Sequence, residues 1–174
     1  KLQTRAQSSR FPDVIMCLIL AALKTHPQYP LIIAANRDEY FSRATKPAHF
    51  WTQDPSLLAG QDLQAGGTWL GITRSGRFAA VTNYRDPRHM HQRPLSRGRL
   101  TTDFLLSDRA IEQYIGSLSN HDHQYNGFNL LLSQDLRSMH HYSNITAKTT
   151  ALTLGIHGLS NHLLDTPWPK VEKG

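Results

Sequence analysis

Long hydrophobic runs are missing from this sequence. No apolar stretch among its 174 residues approaches the roughly 18–20 residues that a membrane-spanning helix needs. Cysteine is nearly missing as well. A single thiol, Cys17, excludes an intramolecular disulfide framework and fits a reducing compartment, which points to the cytoplasm. Zinc-finger spacing, an RNA-binding signature and a Lys/Arg-rich helix are also lacking. The formal charge of +6 therefore reads as a solvated surface or an attraction for an anionic ligand, not as nucleic-acid recognition. Internal repeats and low-complexity linkers are absent, and the length suits one domain with its own core.

What the chain does contain is short apolar runs joined by turns. "MCLILAAL" (16–23) and "LIIAAN" (31–36) flank the Pro-bearing turn "KTHPQYP", a pattern for a hairpin of two largely buried strands. "TWLGITRSGRFAAVTNY" (68–84) reads as a second hairpin turning at Gly76. Helical spacing follows over 101–118, with Phe104, Leu105, Ile111 and Ile115 sharing a side and Asp108 opening a second short helix. Segments 127–133, 138–143 and 150–161 read as strands again. A strand-rich sheet with a helical layer predicts an α+β fold. The last stretch, "NHLLDTPWPKVEKG" (161–174), has no closing strand or helix of its own, and the expectation is a longer parent protein.

Residues 1–15, "KLQTRAQSSRFPDVI", together with the apolar run behind them, imitate the charged and hydrophobic regions of a secretory signal. Asp13 directly before the run, and Lys24, Thr25, His26 and Pro27 where a small-residue cleavage site belongs, argue otherwise. The segment 1–15 is read as an upstream leader or added sequence, Met16 as the functional start, and 16–174 as the domain.

Cys17 has two readings. On an apolar strand it is a small buried hydrophobe. At the second position after Met16, it gains on methionine removal both a thiol and a free α-amine, whose pKa near 8 suits it as the base that takes the thiol proton. "NRDEYFSR" (36–43) interrupts the end of a buried strand with polar groups. It is either a solvated strand end tied by an Arg–Asp pair, or a functional cluster with Arg37 favouring thiolate and Asp38 holding the α-amine. "AAVTNYRD" ends a strand in the same way at Asn83, which is either a turn residue or an oxyanion donor, and Asn161 in "HGLSN" presents the same choice. The ten histidines, in "HMH", "HDH" and "HH", show no third ligand at a diagnostic spacing and read as surface residues, so no metal is expected.

"MCLILAA", "NRDEYFSR", "GGTWLGIT", "VTNYRD", "SRG", "YNGFNLLL" and "HGLSNHLLDTPWPKV" stand in the order found in the NRDE family, the transport and Golgi organisation 2 homologues. The resemblance spans roughly 16–173. It implies an N-terminal-nucleophile (Ntn) hydrolase-like fold, a four-layer αββα sandwich, here without the C-terminal part of the sheet and its helices. By likeness to the bile-salt hydrolase and penicillin V acylase group, Cys17 resembles the nucleophile, and Arg37 and Asp38 its tuning pair. Asn83 resembles the oxyanion donor, and Asn161 a further site asparagine. A late arginine of that group has no counterpart. The implied function is hydrolysis of a linear amide or acyl bond without a cofactor. The alternative is a non-catalytic carrier of haem or acyl-coenzyme A in haem trafficking, lipid homeostasis or Golgi organisation, with cytoplasmic, mitochondrial or Golgi-linked placement.

Overall fold

A computed structural model describes residues 17–85, 93–167 and 169–173. The fold is α+β, built on two antiparallel sheets. The described residues begin with β1 (Leu18–Leu23) and β2 (Leu31–Asn36), paired across the 24–30 turn, where the Lys24 N–H donates to the Pro30 carbonyl at 2.8 Å. Much later in the chain, β10 (Gly155–Leu159) joins the other edge of β1 to give a three-stranded sheet, β10-β1-β2.

The larger sheet is a seven-stranded meander. It runs β3 (Thr45–Phe50), β4 (Leu57–Asp62), β5 (Leu70–Thr73), β6 (Phe78–Asn83), β7 (Phe128–Ser133), β8 (His140–Ser143) and β9 (Lys148–Ala151). Between β6 and β7 the chain leaves the sheet to form α1 (Gly98–Leu105) and α2 (Ile111–Ser119). The buried Ile111, Tyr114, Ile115 and Leu118 of α2 recur at i, i+3, i+4 and i+7, the stripe that seats a helix on a sheet.

Strand β7 explains the layering. All six of its residues are buried because both of its faces are covered. Phe128, Leu130 and Leu132 pack toward the helices with Leu100, Phe104 and Ile115. Leu131, pointing the other way, packs with Ile19, Leu23 and Leu159 of the small sheet. The layers therefore run helices, large sheet, small sheet. A short α3 (Pro169–Lys173) touches the outer face of the small sheet, where Val171 lies over Gly158.

The two hairpins and the buried positions of Phe104, Leu105, Ile111 and Ile115 agree with the sequence reading. Four features differ from it, the first being α3, a helix in the stretch 161–174 where none was expected. Strands β3 and β4 carry no clean alternation, with Pro47 and a register shift between Lys46 and His49 in β3, and the pattern gave no sign of them. The second helix opens after Ala110 instead of Asp108, and the Ala110 N–H donates to the Gln113 side chain. The run 150–161 is two strands in two different sheets, because a break at 152–154 redirects the chain from β9 to β10.

Candidate functional site

Strands β1 and β2 open at one end, and their register sets what stands there. Leu18 faces Asn36, so Cys17 and Arg37, each one residue beyond, stand opposite one another. Strand β10 runs out at the same end, where the Ser160 hydroxyl donates to the Cys17 carbonyl at 2.7 Å. From the large sheet, β6 ends at Asn83. Asn161 ties the two sheets together: its Nδ2 donates to the Asn83 carbonyl at 2.9 Å, and its own carbonyl accepts the Arg85 N–H at 2.8 Å.

The result is a cleft of about 850 Å³ bordered by Cys17, Arg37, Asp38 and Asn83. Four of the five residues singled out in the sequence thus meet at one opening. The fifth, Asn161, stands behind it at 3% exposure, and its Oδ1 has no hydrogen-bond partner among the described residues.

The charges within "NRDEYFSR" are paired. Arg37 Nη2 meets Glu39 Oε2 at 3.0 Å, while Asp38 Oδ1 accepts the Asn36 amide at 2.5 Å. Arg43 Nη2 reaches Asp62 Oδ2 at 2.7 Å, fastening the loop after β2 to the end of β4. Burial pushes the Cys17 thiol above its ordinary pKa. The backbone N–H of Asp38 and the Arg37 guanidinium pull it down, and the carboxylates of Asp38 and Glu39 push it up. The net result is a half-buried thiol that keeps its proton.

Sequence reasoning missed Arg97, Lys46, Trp69 and Asn126, which also border the cleft. Arg97 is placed by a glycine-on-glycine contact. A Cβ on Gly67 would lie 2.6 Å from the Gly98 carbonyl, so the β4–β5 loop can touch the start of α1 only as glycine. Gly98 also accepts the Thr68 N–H at 3.3 Å. "GGTW" and "SRG" carry this signal jointly, but nothing in the sequence says that they touch.

Among the described residues no three His, Cys, Asp or Glu side chains stand close enough to hold a metal ion. His89 and His91 lie outside the described residues. His141 is buried, its Nε2 at 3.0 Å from Asn129 Oδ1, and so is not the surface residue expected. Nor do the cations all stand on a solvated surface. Arg77 is buried against the end of α1, donating to the Phe104 carbonyl at 3.1 Å, and Arg97 enters the cleft. Among the described residues no helix is long and apolar enough to cross a membrane.

The model of the family described as Transport and Golgi organisation 2 matches residues 16–174, which takes in the whole cleft. The chain belongs to that family. Relatives of that name are 42% identical over 171 residues in Mus musculus and 41% over 169 in Homo sapiens, each alignment covering 90% of this chain. The Transport and Golgi organization protein 2 of Drosophila melanogaster is 31% identical over 181 residues, covering 91% of this chain. The chain spans about 60% of the length of the mouse and human family members.

Proposed function

We propose that this family member carries a nucleophilic-cysteine site acting on a linear amide or acyl bond, on an Ntn-hydrolase-like sandwich. The observation that carries the reading is the convergence of Cys17, Arg37, Asp38 and Asn83 on one cleft from β1, β2 and β6. A thiol that holds its proton needs a base. Removal of Met16 would expose an α-amine on the nucleophile's own residue, with a pKa near neutrality.

The amine takes the thiol proton as Sγ bonds to the substrate carbonyl carbon. The tetrahedral oxyanion is met by the Asn83 side-chain amide, and Asn161 holds Asn83 in place through its backbone carbonyl. Collapse breaks the bond to the leaving group, which departs with the proton from the ammonium and leaves a thioester. Water, deprotonated by the same amine, then releases the acid and restores the thiol. Arg37 stabilises thiolate, and Asp38 orients the amine. No cofactor is needed.

The volume and cationic border of the cleft support a second reading, a carrier of haem or an acyl-coenzyme A in lipid or haem traffic, at a cytoplasmic, mitochondrial or Golgi-linked site. The test is mass spectrometry of the Met16-initiated, full-length protein after exposure to an electrophilic acyl probe. A hydrolase gives an N-terminal Cys17 and an adduct that Cys17→Ala abolishes. No adduct, with Cys17→Ala behaving as wild type, removes the enzyme reading. Haem binding that survives Cys17→Ala would then favour the carrier.

A further inference from the structure

Among the described residues five cations border the cleft, Arg37, Arg43, Lys46, Arg93 and Arg97, against the three carboxylates Asp38, Glu39 and Asp62. Arg37 and Arg43 are held by Glu39 and Asp62. Lys46 and Arg93 are exposed at the rim, and neither has an ion pair among the described residues.

Arg97 is the unusual one. It is half-buried, donates from Nη1 to the Gly127 carbonyl at 3.2 Å, and has no carboxylate partner among the described residues. Among the described residues no other hydrogen bond uses its five-donor fork. It lines the same cleft as Cys17, and burial lowers its pKa while the fields of Cys17 and Glu39 raise it. Its backbone is held by the contact between Gly67 and Gly98. Withdrawing a guanidinium from water without a counter-charge is costly, and the planar fork matches carboxylate or phosphate oxygens best.

We propose that Arg97 is the anion anchor of the Cys17 cleft: it receives an oxyanion group of the ligand, a carboxylate or a phosphate, beside the thiol, and Lys46 and Arg93 steer that group in. The proposal shares the cleft with the hydrolase reading but requires no turnover, so loss of one leaves the other standing.

The single cysteine makes the test direct. Cys17 is alkylated with iodoacetate and, separately, with iodoacetamide, at one pH and ionic strength. In both cases the thiolate displaces iodide, and the ratio of the two rates cancels thiolate fraction and general access. The ratio should stand roughly tenfold above that of free cysteine. It should fall most of the way toward the free-cysteine value in Arg97→Gln and stay largely intact in Arg97→Lys. Arg137→Gln, exposed in the β7–β8 turn, should leave it unchanged. A wild-type ratio equal to that of free cysteine, or one indifferent to Arg97→Gln, overturns the proposal. If Arg97→Gln does not fold, the rim variants Lys46→Gln and Arg93→Gln decide: together they must lower the ratio, and an unchanged ratio overturns the assignment. Inorganic phosphate and acetate then distinguish the two sources. The ion that slows iodoacetate in wild type but not in Arg97→Gln is the class the anchor takes, and if neither does so the anchor is not a ligand site.

Discussion

Asn161 and Asn83 are the same residue type at two strand ends, yet they differ in what they hold. Asn161 is buried and bridges the sheets through the Asn83 carbonyl and the Arg85 N–H, whereas the Asn83 side chain is exposed at the cleft. Asn161→Ala should cost ~1–2 kcal/mol in urea unfolding, since the Asn83 carbonyl loses its partner. Asn83→Ala should stay within about 0.5 kcal/mol. His141 is the other residue with a measurable consequence. Burial holds its pKa down to about 4 against the ordinary 6.5, so the folded state keeps it neutral. A group with a folded pKa below its unfolded one stabilises the fold fully above the unfolded value and loses that contribution as pH falls. Stability should therefore drop by roughly 3 kcal/mol between pH 6.5 and 4. His141→Gln, which keeps an N–H for Asn129, should flatten that slope in unfolding titrations.

The β4–β5 loop and the start of α1 form a single mechanical unit through Gly67 and Gly98. Both partners in the 2.6 Å contact are backbone, so Gly67→Ala cannot be absorbed by a side-chain rotation. It should cost about 1–3 kcal/mol by overpacking and move Arg97. The thermal midpoint and the alkylation ratio at Cys17 should fall together. At the other side of the small sheet, a Cβ on Gly158 would collide with Val171. Gly158→Ala should displace α3, read as faster proteolysis near 169–173 with the cleft chemistry unchanged.

Two cores lie back to back across the large sheet, and adjacent residues of β7 serve different ones. Leu130 packs under the helices, and Leu131 packs against β1 and β10. Leu130→Ala and Leu131→Ala should each cost roughly 2–5 kcal/mol. Only Leu131→Ala loosens the small sheet that carries Cys17, so only it should speed alkylation by iodoacetamide. Equal acceleration in both variants would mean that the sheets open as one unit.

Strand alternation, the helical stripe and the turn chemistry of 24–30 are local properties, and the α+β class with its two hairpins was legible from them. Arg37, Asp38, Asn83 and Asn161 were legible as polar groups at the ends of apolar runs, because burying such groups without a purpose is expensive, and Cys17 was legible from its place directly after Met16. Pairing across the chain was not legible. Whether β10 returns to β1, whether Gly67 meets Gly98, and whether Arg97 lines the same cleft as Cys17 depend on contacts between segments tens of residues apart. Sequence periodicity reports which face of an element is buried, not what covers it. Composition could place arginines in one basic stretch, but only the packed sheets and helices decided that Arg77 caps a helix end while Arg97 enters the cleft.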